Sequence, residues 1–497
     1  MGILMLYRDK EIKEVERMAV RMRKESLAIC ADGIQIPEGA LRVLRTLEDA
    51  GYETWAVGGF VRDALSGQAC ADVDLATAAP WTAVRDVCTA AGMRTHETGT
   101  KHGTITVMAD GEPIEVTTFR ADGVYKDARH PEQVTFVRNI EEDLARRDFT
   151  INAMAFHPER GLLDPFGGVE DLRRGVIRTV GDPRKRFAED ALRILRACRF
   201  VGQLGFRLDD ETRRGMMENK GLAARMPAER VAHELERLLL GAYAGLALLE
   251  TVDVLAVALP ELVAMKGFDQ HTPYHIYDVL EHTAHVVDGV PQYPLVRWAA
   301  LMHDMGKPAA FFTDPDGTGH FYAHAAISVK LAHGIMARLK LPSAFQAQVL
   351  ALVERHDDVI EPTPRAVKRA LARLGGDVAL FHALCDLKRG DTRGQAPRCA
   401  GRIEAANELE RMLDGLLSAD EAFSLKALAV NGRDAMAAGV PEGPAVGQAL
   451  ADALDAVIDE CEPNEADALR SFLARWAAER GFGKSFGKGV DEATRTP

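Results

Sequence analysis

Apolar residues recur at helical spacing in some stretches of the chain and form short continuous runs in others. Residues 38–50 follow the helical period and end before Gly51, which predicts a helix terminated by a glycine. The short runs are rich in β-branched residues and are separated by Gly and Asp turns, so they predict strands with helices between them. The predicted strands are Thr54–Val57, Asp72–Ala76, Thr104–Met108, Ile114–Phe119 and Val134–Val137.

The pattern changes near Pro183. Beyond it strand signals nearly vanish, and residues 183–260 and 271–480 have the periodicity of successive amphipathic helices with Pro and Gly breaks. The two regions together predict an α+β fold in which a compact mixed head precedes an all-helical remainder. We place the boundaries at 1–35 for an N-terminal helical extension, 36–182 for the head, 183–270 for a helical neck, 271–395 for a third domain, 396–482 for a helical tail and 483–497 for a loose tail.

The composition of the 497-residue chain, 47% hydrophobic and 27% charged, is that of an ordinary globular protein. No stretch reaches the roughly 18–20 uncharged apolar residues of a membrane span, and the first residues lack the pattern of a signal peptide. Seven scattered cysteines without a C-x-x-C pair indicate reduced thiols. We therefore predict a multidomain cytoplasmic protein with no membrane partner, and the oligomeric state is left open.

The net charge of −13 argues against indiscriminate coating of nucleic acid, but the charge is unevenly distributed. Residues 181–240 contain 13 Lys and Arg against 10 Asp and Glu, a local charge of +3. Residues 401–470 contain 5 against 15, a local charge of −10. A nucleic-acid partner would therefore have to bind the arginine-rich middle of the chain.

A glycine turn and a pair of aspartates follow the first predicted strand, in VGGFVRDALSGQACADVDLAT. Gly58 and Gly59 stand before a helix, where backbone N–H groups can approach an anion such as a triphosphate. Asp72 and Asp74 alternate with a valine, so on a strand both carboxylates share one face and repel each other unless a cation bridges them. Mg²⁺ with nucleotide phosphates suits such a pair, although an isolated D-x-D is about as often a turn or a solvated edge.

Further polar residues lie in the predicted head. Glu115, in the strand IEVTTF, offers a third carboxylate. The segment 118–137 is a polar excursion between two strands, of a kind that is usually functional or disordered. In LARRDFTINAMAF, Arg146, Arg147 and Asp148 precede an apolar helix. Asp148 either caps that helix, or it holds a ribose hydroxyl while an arginine holds a triphosphate.

Residues 186–200, RFAEDALRILRACRF, have a helical period. Their apolar side chains share one side, and Glu189, Arg193 and Arg196 share the other, flanked by Asp190 and Arg199. Such a face is most often solvated, with an ordinary Glu–Arg pair at i,i+4 spacing. It can also read bases, because an aspartate accepts from the exocyclic amine of cytosine or adenine while an arginine donates to the neighbouring ring nitrogen. Uracil and guanine present the reverse pattern, so the pair would select C and A without a template.

These motifs, in this order, resemble the class II tRNA nucleotidyltransferases, the family of bacterial CCA-adding enzymes and poly(A) polymerases, over residues 36–240. The resemblance implies a polymerase-β-like head, an RNA-binding helical neck and a tRNA-binding tail, and addition of CCA to the 3′ end of tRNA from CTP and ATP. It implies that Asp72 and Asp74 hold a catalytic Mg²⁺, and Glu115, which the strand pattern indicates, would add a third carboxylate to them. The nucleotide-binding residues would be Gly58, Gly59, Arg62, Asp63, Arg147, Asp148, Asn152, Glu189, Asp190, Arg193 and Arg196.

Most of the histidines lie in residues 271–395. One helical histidine is usually structural, but His303-Asp304 ends a strongly apolar helix, where a buried ionisable pair needs a cation or a partner. The order His…His-Asp…Asp resembles the HD phosphohydrolase superfamily, a helical metal-dependent fold. The resemblance implies that His282, His303, Asp304 and Asp386 hold a divalent transition metal or Mg²⁺, with Asp391 and Asp358 as rivals for the last ligand, that His324 and His356 hold a second metal, and that Lys307 contacts phosphate.

Three alternatives to a complete CCA-adding enzyme stay open. The segment 118–131 resembles the family's flexible loop, which favours addition of A either in full CCA synthesis or by an A-adding specialist. A poly(A) polymerase shares most of the head motifs, although its C-terminal region is commonly basic and residues 401–470 are acidic. The alternative of another class is an HD phosphohydrolase whose head only binds RNA, and the presence of both Asp72 and Asp74 argues against it.

Overall fold

The computed structural model describes residues 33–68, 72–122, 134–418 and 425–482. The predicted loose tail over 483–497 lies outside the described residues, as do all but the last residues of the predicted extension. The chain divides into two compact units, Met1–Val263 and Ala264–Pro497. The predicted α+β organisation is confirmed, because strands form the first part of the first unit and helices dominate everything after it.

The strands of the first unit account for the mixed head. In chain order they are β1 (Thr54–Val57), β2 (Asp74–Thr77), β3 (Arg94–Gly99), β4 (Thr104–Ala109), β5 (Glu112–Thr118), β6 (Arg120–Asp122), β7 (Val134–Phe136), β8 (Ala155–His157), β9 (Gly161–Leu163), β10 (Val176–Ile177) and β11 (Arg207–Leu208). Seven of them form one sheet in the order β3-β4-β5-β2-β1-β8-β9. Within it β2 and β5 run parallel, whereas β1 pairs antiparallel with both β2 and β8.

Four of the five predicted strands lie in this sheet, and the fifth does not. Val134–Phe136 pairs only with Arg120–Asp122, across the polar excursion whose residues 123–133 lie outside the described part of the chain. The predictions missed Arg94–Gly99 because it is a largely exposed edge strand of mostly polar residues, so it carries no apolar alternation. They missed β8 and β9 because three residues are too few for a period to be recognised.

The helices of the first unit cover the sheet and then form the neck. They are α1 (Glu38–Asp49), α2 (Gly59–Leu65), α3 (Trp81–Ala90), α4 (Ile140–Ala145), α5 (Gly168–Arg174), α6 (Pro183–Glu189), α7 (Leu192–Leu204), α8 (Asp210–Ala223), α9 (Ala228–Leu239), α10 (Ala244–Leu255) and the short α11 (Leu262–Met265), within which this unit ends. The predicted first helix is confirmed: α1 buries Val43, Leu44 and Leu47, and Gly51 has a φ of +86°.

One ion pair lies inside the neck. Arg199 on α7 and Glu234 on α9 are 2.9 Å apart, and their side chains are 4% and 5% exposed. We expect Glu234→Ala to lower the free energy of unfolding of the first unit by about 3–5 kcal/mol, because it leaves a buried guanidinium without its counter-ion. Thermal or urea unfolding measures this. The matched control is Glu218→Ala in the exposed Arg184–Glu218 pair, which should leave the transition unchanged; equal effects of the two substitutions would contradict the prediction.

Within its described residues, the second unit is helical apart from one ribbon. Its helices are α12 (Val279–Gly289), α13 (Pro294–Met302), α14 (Lys307–Ala310), α15 (His324–Arg338), α16 (Ser343–Arg355), α17 (Pro364–Arg373), α18 (Val378–Arg393), α19 (Gly401–Ser418), α20 (Gly432–Ala437), α21 (Pro444–Ile458) and α22 (Ala466–Glu479). The ribbon, which the helical pattern did not predict, pairs β12 (Phe312–Thr313) with β13 (Gly319–His320). A separate apolar cluster, which includes Ala453, Leu469 and Trp476, joins α20, α21 and α22.

Candidate nucleotide site and metal centre

The glycine turn after β1 brings an arginine against the backbone. Gly58 precedes α2 with a φ of +75°, a conformation that L side chains rarely adopt. A Cβ atom at this position would lie 2.8 Å from Nη1 of Arg147. The turn therefore needs glycine for two reasons, its backbone conformation and the close approach of the guanidinium.

The three predicted carboxylates converge at the start of β2. Asp74 is the first residue of the strand, and Glu115 is its register partner on the parallel strand β5. Asp72 lies just before the strand rather than within it, but Val73 is 1% exposed while both aspartates are exposed, so the predicted alternation holds. Partial desolvation of Asp74, together with the negative charges of Glu115 and Asp72, raises its pKa to about 6 against the opposing effect of Arg147. Mutually repelling carboxylate oxygens of this kind fit a hard divalent cation.

A continuous chain of hydrogen bonds links five of the nucleotide-binding residues predicted beyond the turn. Arg62 donates to both carboxylate oxygens of Asp63, at 2.8 and 2.9 Å, and from Nη1 to Oδ1 of Asn152 at 2.7 Å. Asn152 in turn donates to Oδ1 of Asp148 at 3.1 Å, and Arg196 donates from Nε to Oδ2 of Asp148 at 2.7 Å. Each side chain is thus held by the next, which fixes the directions that they present to a ligand.

Asp148 is an ionised carboxylate in a buried position. Burial by itself raises its pKa, but the charge of Arg196 and hydrogen bonds from Asn152, Arg196 and the backbone of Phe149 lower it to about 2. The carboxylate therefore stays an acceptor throughout the physiological pH range, as a residue that binds a hydroxyl group must. Asp148 does not start the helix that the sequence suggested, because a 3₁₀ turn, Thr150–Asn152, follows it.

The segment 186–200 is not one helix, and this corrects the prediction. Helix α6 ends at Glu189, and Asp190 is extended, with φ −137° and ψ 104°. Its Oδ1 accepts from the backbone N–H of Leu192 at 3.0 Å and so satisfies a donor at the start of α7. The hydrogen-bonding capacity of an aspartate at a helix start outweighs the helical period here, so Asp190 and Arg193 do not share a helical face.

The alternative of a solvated face does not hold for Arg193, which is 7% exposed. Its Nη1 donates to Oε2 of Glu189 at 2.8 Å and to the carbonyl of Arg186 at 3.1 Å. Its Nη2 donates to the carbonyl of Arg146 at 2.9 Å. Glu189 therefore holds Arg193 in place from the end of the preceding helix.

These residues surround one cavity of about 410 Å³ within the first unit. Asp63, Asp72, Glu115 and Glu189 are not part of its lining, whereas the other predicted nucleotide residues are. Eight arginines line it against three aspartates, so the cavity attracts a polyanion. The sequence placed Arg199 beside the polar face of residues 186–200, and the predictions missed Phe200, Gln203, Arg230 and Arg237. The sequence signal for the last two was their i,i+7 spacing on α9, which places both on one helix face.

The second unit gathers its predicted ligands into two adjoining groups. The first joins His282, His303, Asp304 and Asp391, and the second joins Asp304, His324 and His356. Oδ2 of Asp304 lies 3.2 Å from Nε2 of His282 and 3.1 Å from Nε2 of His303. Oδ1 faces His324 and His356, at 3.4 and 3.6 Å. One carboxylate thus belongs to both groups.

The four imidazoles have the orientation that metal ligation requires. Each Nδ1 lies 2.7–3.0 Å from a backbone carbonyl, to which it donates, so Nε2 keeps its lone pair for a ligand. The four Nε2 atoms converge in pairs at 3.3 and 3.2 Å. The pairs of histidine and carbonyl are His282 with Gly394, His303 with Ala300, His324 with Phe321 and His356 with Val353. This donor set fits one or two divalent cations.

The last predicted ligand, Asp386, does not lie with the others. Its Oδ1 pairs with Arg389 at 2.6 Å, and its Oδ2 accepts from the hydroxyl of Tyr293 at 3.0 Å. Asp391, five residues later on α18, points to a different side of the helix and lies 3.0 Å from His282. We therefore correct Asp386 to Asp391, which the sequence had offered as a rival. The other rival, Asp358, pairs with Arg355 at 3.6 Å.

The charges of neighbouring groups keep Asp304 ionised in this cluster. Burial raises the pKa of Asp304, but His303 and Lys307 hold it well below its usual range. Nζ of Lys307, the predicted phosphate contact, lies 2.6 Å from Oδ2 of Asp304 and donates to Oε1 of Gln270 at 2.8 Å. A fixed cation thus stands beside the ionised carboxylate at the edge of the histidine groups.

Three family models match consecutive parts of the chain. The poly A polymerase head domain matches residues 54–178, the probable RNA and SrmB-binding site of polymerase A matches 205–265, and the HD domain matches 273–410. Within the described residues, no helix combines the length and apolar character needed to cross a bilayer.

Proteins of known function and structure resemble this chain over different shares of its length. A CCA-adding enzyme of Geobacillus sp. (strain WCH70) is 49% identical over 209 residues, which is 42% of this chain and 51%, about half, of the relative. A CCA-adding enzyme of Geobacillus kaustophilus (strain HTA426) is 35% identical over 437 residues, 88% of this chain and 96% of the relative. The crystal structure of the Bacillus stearothermophilus CCA-adding enzyme in complex with CTP superposes with a TM-score of 0.65 at 32% identity and covers 90% of this chain and 99% of that one. The chain belongs to the family of CCA-adding enzymes.

Proposed function

We propose that this protein adds CCA to the 3′ end of tRNA from CTP and ATP, without a nucleic-acid template. The observation that carries the proposal is a single arginine-rich cavity that contains Asp74, the Asp148–Arg196 pair and the two base-selecting candidates, Asp190 and Arg193. The phosphates, the ribose and the base of one nucleotide would each contact a suitable group in this cavity. The cytoplasmic location predicted from the cysteines belongs to the same proposal, and the five cysteines of the described residues are all free thiols.

Each part of the cavity has a role in this reaction. Asp72 and Asp74, with Glu115, would hold Mg²⁺, which supplies positive charge for the phosphates and for the attacking 3′-hydroxyl. Arg147, against Gly58, would bind the triphosphate. Asp148, kept ionised by Arg196, would accept from a ribose hydroxyl.

Base selection would come from Asp190 and Arg193. An amine donor beside a ring-nitrogen acceptor, as on cytosine and adenine, matches a carboxylate beside a guanidinium. Glu189 does not line the cavity and would be a positioning residue, because it holds Arg193. Uracil and guanine would leave both protein groups with mismatched partners, which costs about 1–3 kcal/mol per pair.

The decisive experiment supplies tRNA transcripts that end before CCA, after C and after CC, with Mg²⁺ and with CTP and ATP separately and together. Addition of three nucleotides to the first transcript supports the proposal. Addition of A to the third transcript alone would identify an A-adding specialist. Unlimited A addition would identify a poly(A) polymerase, and no addition would leave only the HD phosphohydrolase with an RNA-binding head.

The histidine groups of the second unit support a second function, hydrolysis of a phosphoester. Divalent cations held by the two groups would neutralise the phosphate and activate water. Asp304 would orient both groups, and Lys307, 2.6 Å from Asp304, would bind a phosphate oxygen. The support for this function is the convergence of the four Nε2 atoms around one carboxylate.

We expect His303→Ala to lower the metal content of the purified protein and to abolish phosphohydrolysis, because it removes a ligand from the first group. Elemental analysis and hydrolysis of a phosphomonoester measure the two effects. Nucleotide addition should be unchanged, since its carboxylates lie in the other unit. His333→Ala, an exposed histidine on α15, is the matched control. Unchanged metal content in His303→Ala would contradict the assignment.

A further inference from the structure

Three aromatic rings form an exposed patch on the β12–β13 ribbon and the residue beyond it. The rings of Phe312 and His320 have centroids 5.2 Å apart and planes 24° apart. Tyr322 lies 5.4 Å from Phe312 and 5.6 Å from His320, and its plane is within 12° of that of His320. We call these three residues the ring patch. Tyr322 is 72% exposed and Phe312 45%, so the patch leaves apolar ring faces in water.

The ring patch is continuous with the histidine groups along the chain. Phe321, between His320 and Tyr322, accepts at its carbonyl from Nδ1 of His324, a member of the second group, at 2.8 Å. The ring of Phe321 also lies 5.4 Å from Nζ of Lys307. The same short segment thus orients a metal-ligand candidate, places a ring beside Lys307 and presents the ring patch to solvent.

Two backbone and side-chain features fix this arrangement. Ala323 has a φ of +61°, which is uncommon for a residue with a side chain, and it turns the chain from Tyr322 into the helix that starts at His324. His320 is held by Asp314, whose Oδ2 lies 2.9 Å from its Nε2. The near-parallel rings are therefore presented by a constrained turn.

We propose that the ring patch binds the nucleobase of the phosphoester that the histidine groups hydrolyse. The proposal rests on the phosphohydrolysis proposed above and adds to it a base-binding site formed by these three rings. Flat, exposed rings suit any base, because every base has a π face, and stacking on an aromatic residue is worth about 1–3 kcal/mol per base. The phosphate would lie at Lys307, whose Nζ is 5.4 Å from the ring of Phe321, and at the histidine groups.

The test compares Tyr322→Ala with Tyr322→Phe in the full-length protein. The substrates are uridine 3′-monophosphate, a short RNA with a 3′-phosphate, and ribose phosphate without a base. For Tyr322→Ala we expect KM to rise about 5- to 150-fold for the substrates with bases, with kcat nearly unchanged, because only stacking is lost. Ribose phosphate should be hydrolysed as by the unaltered protein, and Tyr322→Phe, which keeps the ring, should behave like the unaltered protein.

Comparing the two substrates with bases distinguishes a free nucleotide from an RNA end, since the true source should have the lower KM. Tyr243→Ala, at an exposed ring in the other unit, is the matched control. An equal rise in KM for ribose phosphate would overturn the proposal, because the substitution would then disturb the metal groups and not a base. An unchanged KM for the substrates with bases would overturn it as well.

Photocrosslinking separates this proposal from the phosphohydrolysis on which it rests. A short RNA with 3′-terminal 5-iodouridine is irradiated with the protein, and the attached residue is identified by mass spectrometry. Attachment at Phe312 or Tyr322 supports base binding at the ring patch even if the protein hydrolyses no phosphoester, in which case only the hydrolytic function fails. Attachment confined to other parts of the chain overturns the ring patch as a base site, whatever the hydrolysis assays give.

Discussion

Replacement of Asp72 by alanine should lower the rate of nucleotide addition by on the order of 10³-fold. The reason is that several kcal/mol of charge stabilisation at the phosphates depend on the cation that Asp72 and Asp74 would share. Addition of a single nucleotide to a tRNA transcript ending in CC, under single-turnover conditions, measures the loss. Phosphohydrolysis should not change, because its ligands all lie in the second unit.

The matched control for this substitution is Asp86→Ala, another aspartate of the head, whose side chain is 67% exposed. It should leave nucleotide addition intact. Thermal unfolding of both variants checks that neither loses its fold. If Asp72→Ala keeps its incorporation rate, the assignment of the metal to these carboxylates is wrong.

The second large effect concerns the choice of base. In the double variant Asp190→Ala, Arg193→Ala, the preference for CTP and ATP over UTP and GTP should fall by about 5- to 150-fold, the equivalent of about 1–3 kcal/mol for one base-reading pair. Total activity should fall too, because Glu189 and two backbone carbonyls lose the guanidinium that they bind. The measurement is the ratio of incorporation rates for matched and mismatched nucleotides.

Using a ratio removes the effect of misfolded protein, since both rates come from one enzyme preparation. Arg184→Ala, on the exposed side of α6, is the control and should keep the ratio of the unaltered protein. A double variant that incorporates little but keeps full selectivity would show that Asp190 and Arg193 support the structure and do not read the base.

The sequence predicted best where one physical rule acts over several residues. Local conformational preference predicts the glycine turn, the strand Thr54–Val57 and the helix that stops before Gly51, and the structure agrees with all three. Alternation around Val73 likewise predicted two exposed aspartates, although the strand itself begins only at Asp74.

Prediction failed where a single hydrogen bond or a distant contact decides the structure. The hydrophobic period of residues 186–200 predicts one helix. The structure has two helices there, because the side chain of Asp190 binds the backbone N–H of Leu192 and the first helix ends at Glu189. Spacing also could not choose between Asp386 and Asp391, since both lie on α18 and only the position of His282 distinguishes them. Arg230 and Arg237 were missed because a cavity wall contributed by another helix leaves little trace in local sequence.

The acidic side chains of residues 401–470 form ion pairs within the second unit, and these pairs change how the negative charge of the tail should be interpreted. Asp459 binds both Arg365 and Arg369 of α17, while Asp434 binds Arg470. Much of the negative charge of residues 401–470 is thus neutralised by ion pairs within the second unit. Some of the arginines in these pairs lie outside residues 401–470. The net charge of a segment is therefore a poor guide to the potential that its surface presents to RNA. For this tail, rising ionic strength would weaken the ion pairs between its helices as well as any binding of a polyanion.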